Sequence, residues 1–192
     1  MTALQLATTD TGNQLLAADP LALLIGMMLD QQIPMEKAFT SPSVLAERMG
    51  TERLDARKMA ECDPEQFEAM FRQVPALHRF PAAMAKRVQE LAKVLIEKYD
   101  GDAARVWESV DDGAELVTRI AELPGFGQQK ARIFVALLGK QYGVHPLGWR
   151  EAAGSYGEEG SFRSAADVVD AESLGKVRAF KKQQKAAARA AD

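Results

Sequence analysis

Between Asp19 and Asp30 the chain reads Pro-Leu-Ala-Leu-Leu-Ile-Gly-Met-Met-Leu, with nine apolar residues in a row after Pro20. Asp19 offers an acceptor to the first amides of a helix and Pro20 suits its first position, so the run predicts a helix. A helix with no polar face has to be enclosed on every side. The run is about half the ~20 residues that a bilayer span requires, so we expect no membrane helix and an enclosure made of protein. The fold must therefore be assembled around this segment.

Elsewhere apolar residues recur at three- and four-residue spacing, in a background rich in Ala, Leu, Glu, Lys and Arg. That periodicity predicts an all-α protein with at most a short extended piece near the N-terminus. At 192 residues and 21.0 kDa, one domain over residues 1–192 is expected, with room for two small lobes sharing a core. Ser41-Pro42 and Asp63-Pro64 repeat the Asp19-Pro20 start signal and predict two short helices. Pro81 opens a long amphipathic helix with Met84, Val88, Leu91, Val94 and Leu95 on its apolar face, ending at Tyr-Asp-Gly-Asp. Helices over "ELVTRIAE" and over about residues 128–140 follow. Residues 142–162 then hold five glycines and a proline and read as a loop or broken helix. A basic helix is predicted over about residues 171–190.

The charge is uneven. Residues 1–75 carry 6 basic and 11 acidic side chains, and residues 76–192 carry 18 and 16. Within the second part, residues 123–150 hold Lys130, Arg132, Lys140 and Arg150 and no acid, and Leu174–Ala191 holds six basic residues and no acid. Such local patches suit a polyanion even though the net charge is −3. The single cysteine, Cys62, excludes an internal disulfide and a four-thiolate iron–sulfur centre. The N-terminus lacks the basic and apolar regions of a secretory signal, so a cytoplasmic location is expected.

The segment "LPGFGQQKARI", residues 123–133, follows one predicted helix and enters another. Helix, Leu-Pro-Gly-apolar-Gly turn, helix is the pattern of a helix-hairpin-helix, here over about residues 112–140. Gly125 and Gly127 permit a tight turn and close approach of backbone to a ligand. The first-turn amides around Gln128 and Gln129, with the positive end of the helix dipole behind them, suit a phosphate. Pro124 shapes the turn, Phe126 anchors it in the core, and Lys130 and Arg132 add charge. The same turn could also merely link two helices.

These residues resemble the helix-hairpin-helix DNA glycosylase superfamily, which includes endonuclease III and the 3-methyladenine glycosylases. "ELPGFGQQKARIFVALLGKQYGV" is similar to its hairpin and following helix, "LALLIGMMLDQQIPMEKAF" to an early helix and glutamine-bearing turn, and "ALHRFPAAMAKRVQELAKVLIEKYDGD" to the helix before the hairpin. The resemblance covers residues 20–145 in order. It implies an all-α, two-lobed fold with a base pocket between the lobes, and double-stranded DNA containing a damaged base as partner. Gln32 matches the family's gap-filling position once the target nucleotide has swung out, with Gln31 beside it; a solvent-facing polar residue is the alternative. Arg79, in a turn before Pro81, is a candidate for a second phosphate or for a cap.

Two departures shape the expected chemistry. The family's attacking lysine, where present, lies two positions after the second hairpin glycine, which is Gln129 here; Lys130 is rotated about 100° around the helix. Lyase chemistry is therefore not expected, and the resemblance implies a monofunctional glycosylase. The family's aspartate lies some 18 to 20 residues beyond that lysine, and counting on from Gln129 reaches Leu147, Gly148 and Trp149. Glu151 is the nearest carboxylate and Asp30 the other candidate, each with a bland alternative as a helix-start acid or a turn cap; His145 is a weaker one. Trp149 could stack on an extruded base or pack in the core. No cofactor is implied beyond a monovalent cation that hairpin carbonyls could hold. A nucleoid-associated monomer is expected. A catalytically inactive lesion sensor of the same fold, or a helical interaction domain unrelated to DNA, would also fit.

Overall fold

A computed structural model of the chain describes residues 4–191; the remainder of the expected 1–192 span lies outside the described residues. The apolar run forms α2 (Pro20–Leu29), which follows α1 (Asp10–Ala18), and every residue from Leu21 to Leu29 is buried. Asp19 does two jobs. One carboxylate oxygen accepts from the amides of Leu21 and Ala22 at 2.9 and 3.3 Å, and the other accepts from Leu54 at 2.9 Å, tying a distant loop to the helix start.

α2 packs on α1 and α3 (Met35–Arg48), and α3 leads on to α5 (Pro64–Arg72), which with α4 (Ala56–Glu61) packs on α6 (Pro81–Tyr99), making one group of helices. The second comprises α7 (Arg105–Glu108), α8 (Gly113–Ala121), α9 (Gln128–Gln141) and α10 (Trp149–Ala153), and it meets the first where α9 touches α2. Then α11 (Ala171–Ala191) lies beside residues 30–36 and Arg79 of the first group and contacts the turn at Ala165–Asp167. There is no strand among the described residues, so the all-α class holds.

The start signals are honoured at Asp63, whose side chain accepts from Glu65 and Gln66 at 3.1 Å each, and at Pro81. Ser41-Pro42 is different: Pro42 lies inside α3, which begins after Pro34, and no helix starts there. Pro42 lacks the amide that would bond the carbonyl of Ala38. The neighbouring hydroxyls of Thr40 and Ser41 turn back onto the carbonyls of Glu36 and Lys37 at 2.6 and 2.9 Å. Ser41 is thus engaged with its own helix, and its oxygen also lies 2.8 Å from the carbonyl of Leu77.

Candidate functional site

The hairpin forms as the residues dictate. Leu123 is buried, the Phe126 amide donates to the Leu123 carbonyl at 3.0 Å, and the Phe126 ring lies 5.9 Å from that of Phe134. Gly125 has φ +87°, a left-handed conformation that favours glycine. The two glycines part company in their surroundings. A Cβ on Gly125 would stand 2.8 Å from the Met28 sulfur and 2.9 Å from Arg87 Cδ, so its bare backbone packs on the other lobe rather than facing a ligand. Gly127 has nothing within 4 Å. It also occupies the N-cap of α9 without any side-chain cap, which leaves the first-turn amides beside exposed Gln128 and Gln129 open to an anion.

Lys130 does not point outward to a phosphate, as the sequence suggested. Its ammonium crosses to the other lobe and donates to the Met28 carbonyl at 2.7 Å, at the electronegative end of α2. Burial pushes the Lys130 pKa down to about 8, opposed by the charge of Asp30 and reinforced by Arg87. Asp30 stands at the C-cap of α2. Burial pushes its carboxyl up, Lys181 and Lys130 pull it down, and Glu36 pushes it up. An acid and a base, each displaced from its ordinary range and each feeling the other, thus sit where the lobes meet.

The residues after Asp30 form a tight turn. Gln31 is tied down: its amide nitrogen lies 3.3 Å from the Met84 sulfur and 3.4 Å from the Met28 carbonyl. Its own carbonyl accepts from Nε2 of buried His78 at 2.9 Å, while His78 Nδ1 accepts from the Phe80 amide at 3.0 Å. Those two bonds fix a neutral tautomer, and burial pushes the imidazole pKa down. Gln32 follows, exposed, with φ +57°. A non-glycine residue held there is strained, and such positions concentrate at functional sites. Neither the His78 strut nor the strain is legible in sequence, although a histidine beside a predicted phosphate-binding arginine is a hint. Residues 30–36, exposed Arg79 and one side of α11 enclose a groove of about 950 Å³.

The remaining candidates lie elsewhere. Gln129, at the family's lysine position, donates to the Tyr156 hydroxyl at 2.9 Å. Glu151 is exposed in the first turn of α10 and does not line the groove. Leu147, which stands 18 positions beyond Gln129, is 80% exposed and paired through its backbone with Asp111 and Gly113. Trp149 is a core residue rather than a base platform. Its ring stacks on His145 at 5.7 Å, carries the Arg150 guanidinium at 4.5 Å, and packs so closely on Gly139 that a Cβ there would stand 2.7 Å from Cδ2.

In comparison with known proteins, the family model described as HhH-GPD superfamily base excision DNA repair protein matches residues 25–191, a span that contains α9, the Gln31–Gln32 turn and all of α11. No curated protein and no solved structure matches the chain.

Proposed function

Because the chain belongs to the HhH-GPD superfamily of base excision DNA repair proteins, we propose that it is a monofunctional DNA glycosylase that hydrolyses the bond between deoxyribose and a damaged or mismatched base. The observation that carries the reading is the junction between the lobes, where Asp30 caps α2 and Lys130 donates to the Met28 carbonyl at 2.7 Å, beside the strained Gln32 turn.

In this reading the amides at the start of α9 hold a phosphate of the target strand, the nucleotide swings out, and Gln32 enters the gap. As the C1′–N bond breaks, its electron pair leaves with the base and positive charge develops on the sugar. The Asp30 carboxylate offsets that charge and accepts a proton from the water whose oxygen bonds to C1′; the proton then passes to the departing base or to solvent. A raised pKa makes Asp30 the better proton acceptor, and the charges of Lys181 and Lys130 oppose the burial that raises it. The reading calls for no cofactor and places a monomer on the DNA of the cytoplasm.

One observation favours a second reading. A lysine with a pKa of about 8 has an appreciable free-amine fraction near neutrality, and the amine could attack C1′ itself to give a Schiff base. Incubation with duplexes bearing uracil, hypoxanthine, 3-methyladenine, 7-methylguanine or 8-oxoguanine, with alkali or borohydride added afterwards, separates the readings. Base release without a borohydride-trapped adduct supports hydrolysis. An adduct that vanishes in Lys130→Met assigns the amine chemistry, and tight binding without release from any duplex makes the protein a lesion sensor.

A further inference from the structure

The far half of α11 has no evident structural purpose. Its anchors, Val177 and the part-buried Leu174 and Phe180, all lie in the first half, and every residue from Lys181 to Ala190 is exposed. A helix without apolar contacts gains little from packing, and Lys181, Lys185 and Arg189 repeat like charge at four-residue spacing, which is destabilising. Yet the cations are ordered in angle. At about 100° per residue, Arg178, Lys181, Lys182, Lys185 and Arg189 all fall within an arc of about 100°, with alanines and glutamines on the opposite side. That arc faces the groove described above. Arg79 adds a sixth cation from the opposite wall, and the groove's two acids are Asp30 and Glu36, the latter paired with Arg178.

We propose that this groove binds a second stretch of DNA backbone, distinct from the phosphate held at the hairpin and running along α11 past the Gln32 turn. The inference rests on the DNA-repair reading. It adds a site that the hairpin does not supply, since none of residues 124–129 lines the groove. From Arg178 to Arg189 the stripe is about 16 Å long. One strand of B-form DNA presents a phosphate every ~3.4 Å of axis, so about five phosphates lie opposite its five cations. Neutralising them removes the self-repulsion that the free helix carries.

The test is the salt dependence of duplex binding by the full chain, read as the slope of log K against log salt. In K181A/K182A/K185A/R189A, alanine keeps the helix, and circular dichroism checks this. The slope is expected to become shallower by about 0.9 for each phosphate that is no longer neutralised, two to four units in all. Affinity at ~0.1 M salt should fall at least tenfold, in line with the smaller ion release. A control with the same charge change on exposed lysines outside the groove, K58A/K86A/K93A/K98A, should keep the parent slope within one unit. The proposal is overturned if the α11 variant keeps the parent slope and affinity while Gly127→Glu abolishes binding, an outcome that leaves the DNA reading standing. It is also overturned if the control falls as far as the α11 variant. A parent that binds no duplex overturns both readings together.

Discussion

Asp30 and Lys130 show how position changes an ordinary residue. Lys130 would have a pKa of 10.5 in water and is pushed down to about 8 by burial. The sign of its linkage follows. Below about pH 8 the folded and unfolded chains both hold the proton, and the fold bears the full cost of burying the charge. Between about 8 and 10.5 the unfolded chain holds a proton that the native state has given up, so stability rises with pH across that window. Lys130→Met should accordingly be more stable than the parent near pH 7, by on the order of 2 kcal/mol, with the gap closing toward pH 10.5. Urea unfolding of both proteins at several pH values checks this, and a gap that does not change with pH would mean that the ammonium is not desolvated. For Asp30 the direction is opposite: its raised pKa moves the acid limb of any carboxylate-dependent base release above the ordinary carboxylate range. The sequence could nominate Asp30 but not rank it over Glu151, because only folding reveals which acid is drawn into the junction between the lobes and which stays exposed.

At the scale of elements, most of the fold is legible in the text. The Asp19-Pro20 and Asp63-Pro64 starts, the long helix from Pro81, the hairpin and the basic tail all form where the residues place them. The Ser41-Pro42 pair misleads because a serine capping a helix and a serine bonding back onto its own helix look the same in sequence. The hairpin glycines, alike on paper, should separate cleanly in experiment. Gly125→Ala puts a Cβ against Met28 and Arg87 at a residue with φ +87°, and should lose about 2–4 kcal/mol of stability. Gly127→Ala adds its methyl to open space at φ −150° and should change stability by less than about 1 kcal/mol. Denaturant melts of the two variants decide the matter; equal losses would contradict the split between lobe contact and open anion site. Asp19→Ala removes acceptors from three amides and should cost about 2 kcal/mol or more in the same assay.

Across the whole molecule, the lobes bring together groups that lie 100 positions apart in the chain: α2 ends at Asp30, α9 begins just before Lys130, and the two meet at the Met28 carbonyl. Periodicity reveals that both helices exist and that α2 is enclosed, but not which end of one meets which end of the other. Trp149 lies outside the candidate site for a reason equally hidden from the sequence, since its partner Gly139 is on a helix whose orientation periodicity leaves open. In the proposed hydrolysis the Asp30 carboxylate at this junction performs the chemistry. The most direct measurement is single-turnover base release from whichever lesion duplex the parent cleaves, with Asp30→Asn and Glu151→Gln compared side by side and their duplex affinities measured in parallel. Asp30→Asn should release base at least ~100-fold more slowly with affinity little changed, and Glu151→Gln should keep a rate within about threefold of the parent. Full activity in Asp30→Asn, or loss confined to Glu151→Gln, would contradict the role given to Asp30.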